Sequence, residues 1–393
     1  MANGEYFLEV AHRQYCKHGQ LVYGDVFLSR RIKEEDRVIS VLSDGLGSGV
    51  KANVLATLTA TMAAKFTENY TNVKQTAEVI LDTLPVCSVR KISYSTFTIV
   101  DVSASGHTRV VEHGNPPFLL LRNGRPLYIP KQLVKLDLWQ DREVYFSEFQ
   151  IGVGDYLLFF SDGITQAAMG SPALPLGWGF DNFVKYAGST IAQHPSISAD
   201  ELARQLASHS RRLDNGVPKD DITVAVIYPR QPRRLLLVTG PPFAREKDRE
   251  LADLIRNFPG RKVICGGTTA NIIARELRRK VIMSLDQVNT DIPPLSRMQG
   301  IDLITEGTLT LGHVAELLEK GFPADEPPAN PAAILSTELL DSDQIQFIVG
   351  TRINEAHQDP TTPMELEMRR SLITRIARVL EEKYLKETQK KYV

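Results

Sequence analysis

The chain has 393 residues, enough for two domains with a full core each, and its 42% hydrophobic and 24% charged content is that of an ordinary globular protein. Lys and Arg number 46 against 47 Asp and Glu, so no global field argues for nucleic acid or an anionic membrane surface as partner. No apolar run approaches the roughly 20 residues that cross a bilayer, the start of the chain carries Glu5 and Glu9 in place of a secretory pattern, and Cys16, Cys87 and Cys265 lie far apart, which suits a reducing cytoplasm and offers no thiolate metal site.

Residues 7–11 and 21–23 are predicted short strands, the second running into Gly24-Asp25-Val26. Residues 38–49 then form the stretch around which the chain is organised. A run of β-forming residues ends in Asp44 and three glycines, Gly45, Gly47 and Gly49, and reads as a strand that delivers one carboxylate into a tight turn. Residues 50–67, rich in Ala, Leu and Met without Gly or Pro, predict a helix entered near Ser48. An Asp between a strand end and a helix start suits chemistry; taken alone it is more often a plain loop. A helix over 75–83 ends at Pro85, after which the period becomes that of strands: 95–102, 108–112 after Gly106, and 117–121 after Gly114-Asn115-Pro116. Hairpins with Gly-rich turns imply an antiparallel sheet.

A second pass of the same kind begins at Glu143. Residues 144–149 read as a strand, 152–155 as a turn, and 156–161 as an apolar strand ending in Asp162-Gly163. The irregular stretch 170–179, with Pro172 and Pro175, reads as a mobile flap. Ser198-Ala199-Asp200-Glu201 is a capping pattern that opens a helix over 198–213, and Asp220-Asp221 leads into a buried strand over 222–228. Residues 1–229 thus form one domain and 230–234, with Pro232 and three arginines, a linker.

Residues 235–393 alternate strands and helices: strands at 235–238, 263–264, 281–283 and 301–305, helices at 245–257, 268–279 and 310–320, and a loop at 323–331. This pattern implies a smaller α/β domain with at least partly parallel pairing. An amphipathic helix over 364–386, with Leu366, Ile373, Ile376, Val379, Leu380 and Tyr384, would dock on its own domain or, as a homodimer contact, on a second copy.

Asp25, Asp44, Asp162 and Asp220-Asp221 all sit where apolar strands meet loops. Carboxylates converging at one edge of a sandwich repel one another, and burying such charge unpaired is costly. A divalent cation removes the conflict, and oxygen ligands without Cys or paired His select hard ions such as Mg²⁺ or Mn²⁺ over Zn²⁺.

Gly24-Asp25, Ser43-Asp44-Gly45-Leu46-Gly47-Ser48-Gly49, the run from His113-Gly114-Asn115-Pro116 to Leu121, Phe160-Ser161-Asp162-Gly163-Ile164 and Asp220-Asp221-Ile222-Thr223, in that order, resemble the metal-dependent PPM protein phosphatases. The resemblance is to the bacterial branch typified by stage II sporulation protein E and covers about residues 8–228. It implies an α+β fold, a PPM-like α/β/β/α sandwich of two antiparallel sheets flanked by helices, with two Mn²⁺ or Mg²⁺ ions at one end. By position, the family resemblance gives Asp44 the place bridging both ions and the Gly45 carbonyl a place on one of them. Asp162 and Asp220 complete the other ion's ligands, and Asp25 acts at the first ion directly or through water. Asp221 follows the ligand position, with a shift by one residue left open. The implied activity is hydrolysis of phosphoserine or phosphothreonine by an activated water, on a substrate such as an anti-sigma-factor antagonist.

Two departures from the pattern stand out. Leu46 occupies a place where some PPM enzymes carry a His that could protonate the leaving group, and residues 135–142 contain Asp137-Leu138-Trp139-Gln140 in place of a Pro-Leu-Gly turn. Arg13 and Lys17 lie upstream of Asp25 as contacts for a substrate phosphate or as plain surface cations, and His113 reads as structural. In the second domain, Cys265-Gly266-Gly267-Thr268 joins a strand to a helix. Its free amides suit an anion, or it is simply a tight connection with Thr268 as cap. Two other functions fit the same residues: a non-catalytic module whose carboxylates hold a structural ion, and a phosphohydrolase for small molecules.

Overall fold

Alternating strands of the N-terminal half pair into two antiparallel sheets in this computed structural model, which describes residues 6–69, 73–83, 95–137, 142–283, 295–321, 330–352 and 362–393. The chain divides into two compact units, Met1–Gln231 and Pro232–Val393. The first runs β1 (Phe7–Tyr15), β2 (Asp25–Ile32), β3 (Arg37–Gly45), α1 (Gly49–Asn69), α2 (Val73–Thr83), β4 (Ser95–Ser103), β5 (His107–His113), β6 (Leu119–Arg122), β7 (Arg125–Leu127), β8 (Gln132–Leu133), β9 (Tyr145–Gln150), β10 (Asp155–Phe160), α3 (Asp162–Thr165), α4 (Phe180–Gln193), α5 (Ala199–Leu213) and β11 (Ile222–Arg230). One sheet has the order β1-β11-β10-β6-β7 and the other β2-β3-β4-β5-β9-β8.

Side-chain alternation builds four layers from these elements. Leu157 and Phe159 of β10, with Leu120 and Ile227, meet Leu42, Val100 and Val110 of the other sheet, while Tyr156, Leu158 and Phe160 point the opposite way, onto Phe183 of α4 and Leu202 and Leu206 of α5. Burial on both faces is why β10 reads as an unbroken apolar run. On the far side, Ala60, Ala63 and Ala64 of α1 let that helix lie close on Ile39, Val41 and Ile99. The fold class is therefore the α+β, α/β/β/α sandwich that the motifs imply.

Several expectations are corrected at the element level. Residues 21–23 form no strand: Leu21 is 99% exposed, β1 has run as far as Tyr15, and the chain turns so that Asp25 begins β2. The irregular stretch 170–179 is tied by backbone hydrogen bonds, Trp178 N to Ala167 O and Gly179 N to Thr165 O, both at 2.8 Å, with the Trp178 side chain buried. β11 continues through Arg230, whose guanidinium pairs with Glu9 at 2.6 Å, so the connection between the units is shorter than 230–234. Pro85, Cys87 and Leu138-Trp139-Gln140 lie outside the described residues.

The second unit runs β12 (Arg234–Thr239), α6 (Asp248–Asn257), β13 (Arg261–Cys265), α7 (Gly267–Leu277), β14 (Ile282–Met283), β15 (Ser296–Met298), β16 (Ile301–Thr305), α8 (Thr308–Lys320), α9 (Pro331–Leu340), β17 (Gln344–Val349), α10 (Thr362–Glu382) and β18 (Glu387–Tyr392). β12 is central; β13 and β16 lie on one side and β17 and β18 on the other, all parallel, and antiparallel β15 and β14 extend the β16 edge. This is a doubly wound order. Leu251, Ile255 and Ile273 of α6 and α7 cover one face, and Val314, Leu335 and Ile376 of α8, α9 and α10 the other. The amphipathic helix thus packs into the core of its own unit. α7 starts at Gly267 with Gly266 at its N-cap and no side-chain cap, so Thr268 is not the cap. Among the described residues no helix is long and apolar enough to cross a membrane.

Candidate metal centre

Antiparallel pairing of β2 with β3 places Asp25 directly opposite Asp44, a position that sets the two Cβ atoms roughly 5 Å apart on one face. β3 ends at Gly45, where a Cβ would overlap the backbone carbonyl of Ala52; only glycine lets the first turns of α1 close against the strand end. Gly45 N also donates to Gly24 O at 3.3 Å, joining the two Gly-Asp pairs of the sequence through their glycines.

The other sheet delivers the remaining carboxylates. β10 ends at Phe160, and Asp162 opens the short α3; a Cβ on Gly163 would overlap the Asp221 carbonyl, so this glycine is what lets the Asp162 turn meet the start of β11. Ser161 N donates to Thr223 O at 3.0 Å and Thr223 N to Ser161 Oγ at 3.1 Å. The two sheets are then stitched at this edge. Thr223 Oγ1 donates to Asp25 Oδ2 at 2.6 Å, and Gln14 Nε2 of β1 donates to Thr223 Oγ1 at 3.1 Å.

Asp25, Asp44, Asp162 and Asp220 lie close enough to feel one another's charge. Burial pushes the Asp25 carboxyl well above the usual carboxylate range, and the Asp44 charge adds to the rise against hydrogen bonds from Thr223 and Ser161. Asp44 is pushed up to about 7 by burial and then by the fields of Asp162, Asp220 and Asp221. Asp162 is raised by burial and by Asp220, opposed by its hydrogen bond from Gln166 Nε2 at 2.6 Å. Lys17 Nζ, 3.4 Å from Asp220 Oδ1, is the cation bonded to this group among the described residues.

As the side chains stand, no three His, Cys, Asp or Glu among the described residues form a set that could hold an ion. The donor chemistry nonetheless fits one. Every group is a carboxylate or carbonyl oxygen, the set suited to Mg²⁺ or Mn²⁺, and Asp25, Asp44, Asp162 and Asp220 come from distant segments held together by close glycine contacts. Asp221 shares the neighbourhood but is bonded differently. Its Oδ1 and Oδ2 accept the backbone N–H groups of Lys17 at 3.0 Å and Gly24 at 2.9 Å.

Supporting residues that the sequence did not single out are Gln14 and Gln166. Gln166 follows Asp162 by four, a helical spacing that could have flagged it; Gln14 is the next-to-last residue of β1, where no local pattern announces it. Arg13 pairs with Asp200 at 2.9 Å, and the His113 ring bonds the Glu143 carbonyl at 2.9 Å, which gives the two residues structural partners.

Comparison with known proteins matches residues 34–230 to the model of the stage II sporulation protein E (SpoIIE) family. Among solved structures, the PP2C phosphatase domain with a fragment of the regulatory domain of SpoIIE from Bacillus subtilis is 20% identical with a TM-score of 0.48, the alignment covering 57% of this chain and 62% of that one. The RsbU and RsbW domains of a Mycobacterium tuberculosis protein are 19% identical over 64% of this chain and 70% of theirs, with a TM-score of 0.46. RsbX in complex with magnesium is 18% identical over 57% of this chain and 96% of its own, with a TM-score of 0.40. No curated protein matches the chain. The matched segment carries Asp44, Asp162 and Asp220 and stops at the end of β11. With half of its length under that model, the chain belongs to the stage II sporulation protein E family of PPM-type phosphatases.

Proposed function

We propose that the first unit is a Mn²⁺- or Mg²⁺-dependent serine/threonine protein phosphatase of bacterial signalling that acts in the cytoplasm on a phosphorylated regulator such as an anti-sigma-factor antagonist. Asp44, the Gly45 carbonyl, Asp162 and Asp220 would hold two ions, with Asp25 beside the first. When bound, such ions lower the pKa of a water and neutralise phosphoryl charge. The protein's own part is positioning and electrostatics. Thr223 and Ser161 hold Asp25, Gln166 fixes one oxygen of Asp162, and Leu46 supplies no proton, so the leaving alkoxide takes its proton from water. The second unit is proposed as a regulatory or ligand-binding domain.

One observation carries this reading: acidic side chains from three distant segments are drawn to one edge of the sandwich, where burial and mutual repulsion hold Asp25, Asp44 and Asp162 above their ordinary pKa range. That is the electrostatic state a cation site has before its cation arrives. Hydrolysis of p-nitrophenyl phosphate and of a phosphoserine peptide should appear with Mn²⁺, vanish with a chelator, and be lost in Asp162→Asn. Turnover of phosphorylated metabolites without turnover of the peptide would replace the protein substrate by a small one, and no turnover of either would sink the enzyme.

A further inference from the structure

Asp221 follows the proposed ligand Asp220, is 4% exposed, and has both carboxylate oxygens engaged by backbone amides at the two ends of the loop that links β1 to β2. Lys17 N enters that loop and Gly24 N leaves it. At Gly24 a Cβ would stand 2.8 Å from Asp221 Oδ2, so a side chain there would open the contact. Two more bonds fix the loop: His18 N donates to Pro218 O and Asn53 Nδ2 of α1 donates to Tyr23 O, each at 2.9 Å. With its main chain held this way, Lys17 extends a side chain that is 34% exposed toward Asp220 Oδ1.

We propose that Asp221 is a clamp: it closes the 17–24 loop at the rim of the acid cluster and so sets the Lys17 ammonium where the phosphate oxygens of a substrate arrive. The inference rests on the phosphatase reading above. It makes Asp221 a positioning residue, distinct from the carboxylates that would hold ions. A carboxylate offers each amide an acceptor oxygen in a charge-assisted bond. An Asn in its place offers one oxygen and turns an NH₂ toward an N–H it cannot accept from, so one end of the loop is released. Lys17 has three N–H donors, of which Asp220 takes one, leaving two for phosphate oxygens.

The test uses the full chain and its Asp221→Asn, Lys17→Met and double variants, with p-nitrophenyl phosphate at saturating Mn²⁺. Each single variant should raise KM about tenfold with kcat little changed, the size of one lost charged hydrogen bond, and the double variant should be no worse than either. Asp221→Asn should keep the wild-type Mn²⁺ stoichiometry in calorimetry. It should also speed hydrogen exchange at the Lys17 and Gly24 amides by roughly tenfold or more, while Lys17→Met should leave that exchange alone. Loss of a bound Mn²⁺ in Asp221→Asn, multiplying effects in the double variant, or unchanged exchange would each overturn the clamp. A wild-type protein that never hydrolyses the ester would refute the phosphatase reading instead, and the exchange and stoichiometry would still decide the clamp.

Discussion

Asp101, within the six-stranded sheet, and Asp44, at that sheet's edge, are both drawn into the first unit and are treated in opposite ways. Asp101 is 5% exposed and takes Arg37 at 3.0 Å and Arg109 at 2.5 Å on one oxygen. The second unit repeats the pattern with Asp248, buried between Arg275 at 2.9 Å and Arg352 at 2.7 Å. Among the described residues Asp44 has no such partner. Its neighbours are Asp25, Asp162, Asp220 and Asp221. At Asp101 and Asp248 the chain supplies guanidinium groups; at the gathered carboxylates it supplies, among the described residues, the Lys17 ammonium on Asp220, so most of the compensating charge must come from outside the polypeptide.

Charge removal should break that contrast most sharply. Asp44→Asn should lower Mn²⁺-dependent hydrolysis by about a thousandfold or more, roughly 4 kcal/mol of transition-state stabilisation. Without metal, the same variant should be as stable as the wild type or more so, because a repelling charge has gone. Asp101→Asn should do the reverse. It leaves Arg37 and Arg109 short of their partner and should cost about 3 kcal/mol in urea denaturation while the folded fraction still turns over ester. If both substitutions acted alike on stability, the distinction between paired and gathered carboxylates would be wrong.

Acidity sharpens the same point at a smaller scale. Unfolded, the Asp44 carboxyl titrates near 3.9; in the fold without metal it titrates at about 7. Between those values the folded state keeps a proton that the unfolded chain has lost, so stability falls as pH rises through this window. The whole effect is of order 4 kcal/mol. Melting temperatures in chelator should therefore decline from pH 4.5 to 7.5 more steeply in wild type than in Asp44→Asn, and Mn²⁺ should flatten the decline by binding the ionised form. Equal slopes in the two proteins would remove Asp44 from the account. His113 works in the opposite direction: burial lowers its pKa, so its proton uptake on unfolding favours the fold as pH rises, in both proteins equally.

Much of this centre was legible because its chemistry and its geometry use adjacent letters. Asp44-Gly45 and Asp162-Gly163 each pair a carboxylate with the residue that lets a neighbouring backbone approach it, and both are visible in a single pass along the chain. The strand period and Gly-rich turns announced an antiparallel sheet, and the layered sandwich was what the family resemblance implied. Residues 21–23 misled because Leu-Val-Tyr is β-forming by propensity, whereas no partner strand reaches them and Leu21 stays in water. β18, with the sequence Glu-Thr-Gln-Lys-Lys-Tyr, carries no apolar alternation since it is an edge strand, held by its parallel pairing with β17. The part played by Asp221 depends on amides 197 and 204 residues away, and no local pattern encodes it.

The glycines offer the mildest perturbation. At Gly163 an added Cβ would overlap the Asp221 carbonyl, so either α3 or the start of β11 must shift. Overpacking of this kind costs about 1–3 kcal/mol, which a domain of this size should survive. The shift changes the separation of Asp162 from Asp220, and a displacement of about 1 Å at a reacting centre costs on the order of a hundredfold. Gly163→Ala should therefore melt a few degrees lower and lose between tenfold and a hundredfold in kcat, with part of the loss recovered at higher Mn²⁺. Gly152 supplies the control. It lies in the turn before β10 with open space around the position a Cβ would take, so Gly152→Ala should match the wild type in both measurements. A Gly163→Ala protein with full activity would mean that the two carboxylates need not be held at a fixed separation, and the close approach at this glycine would then be a matter of packing alone.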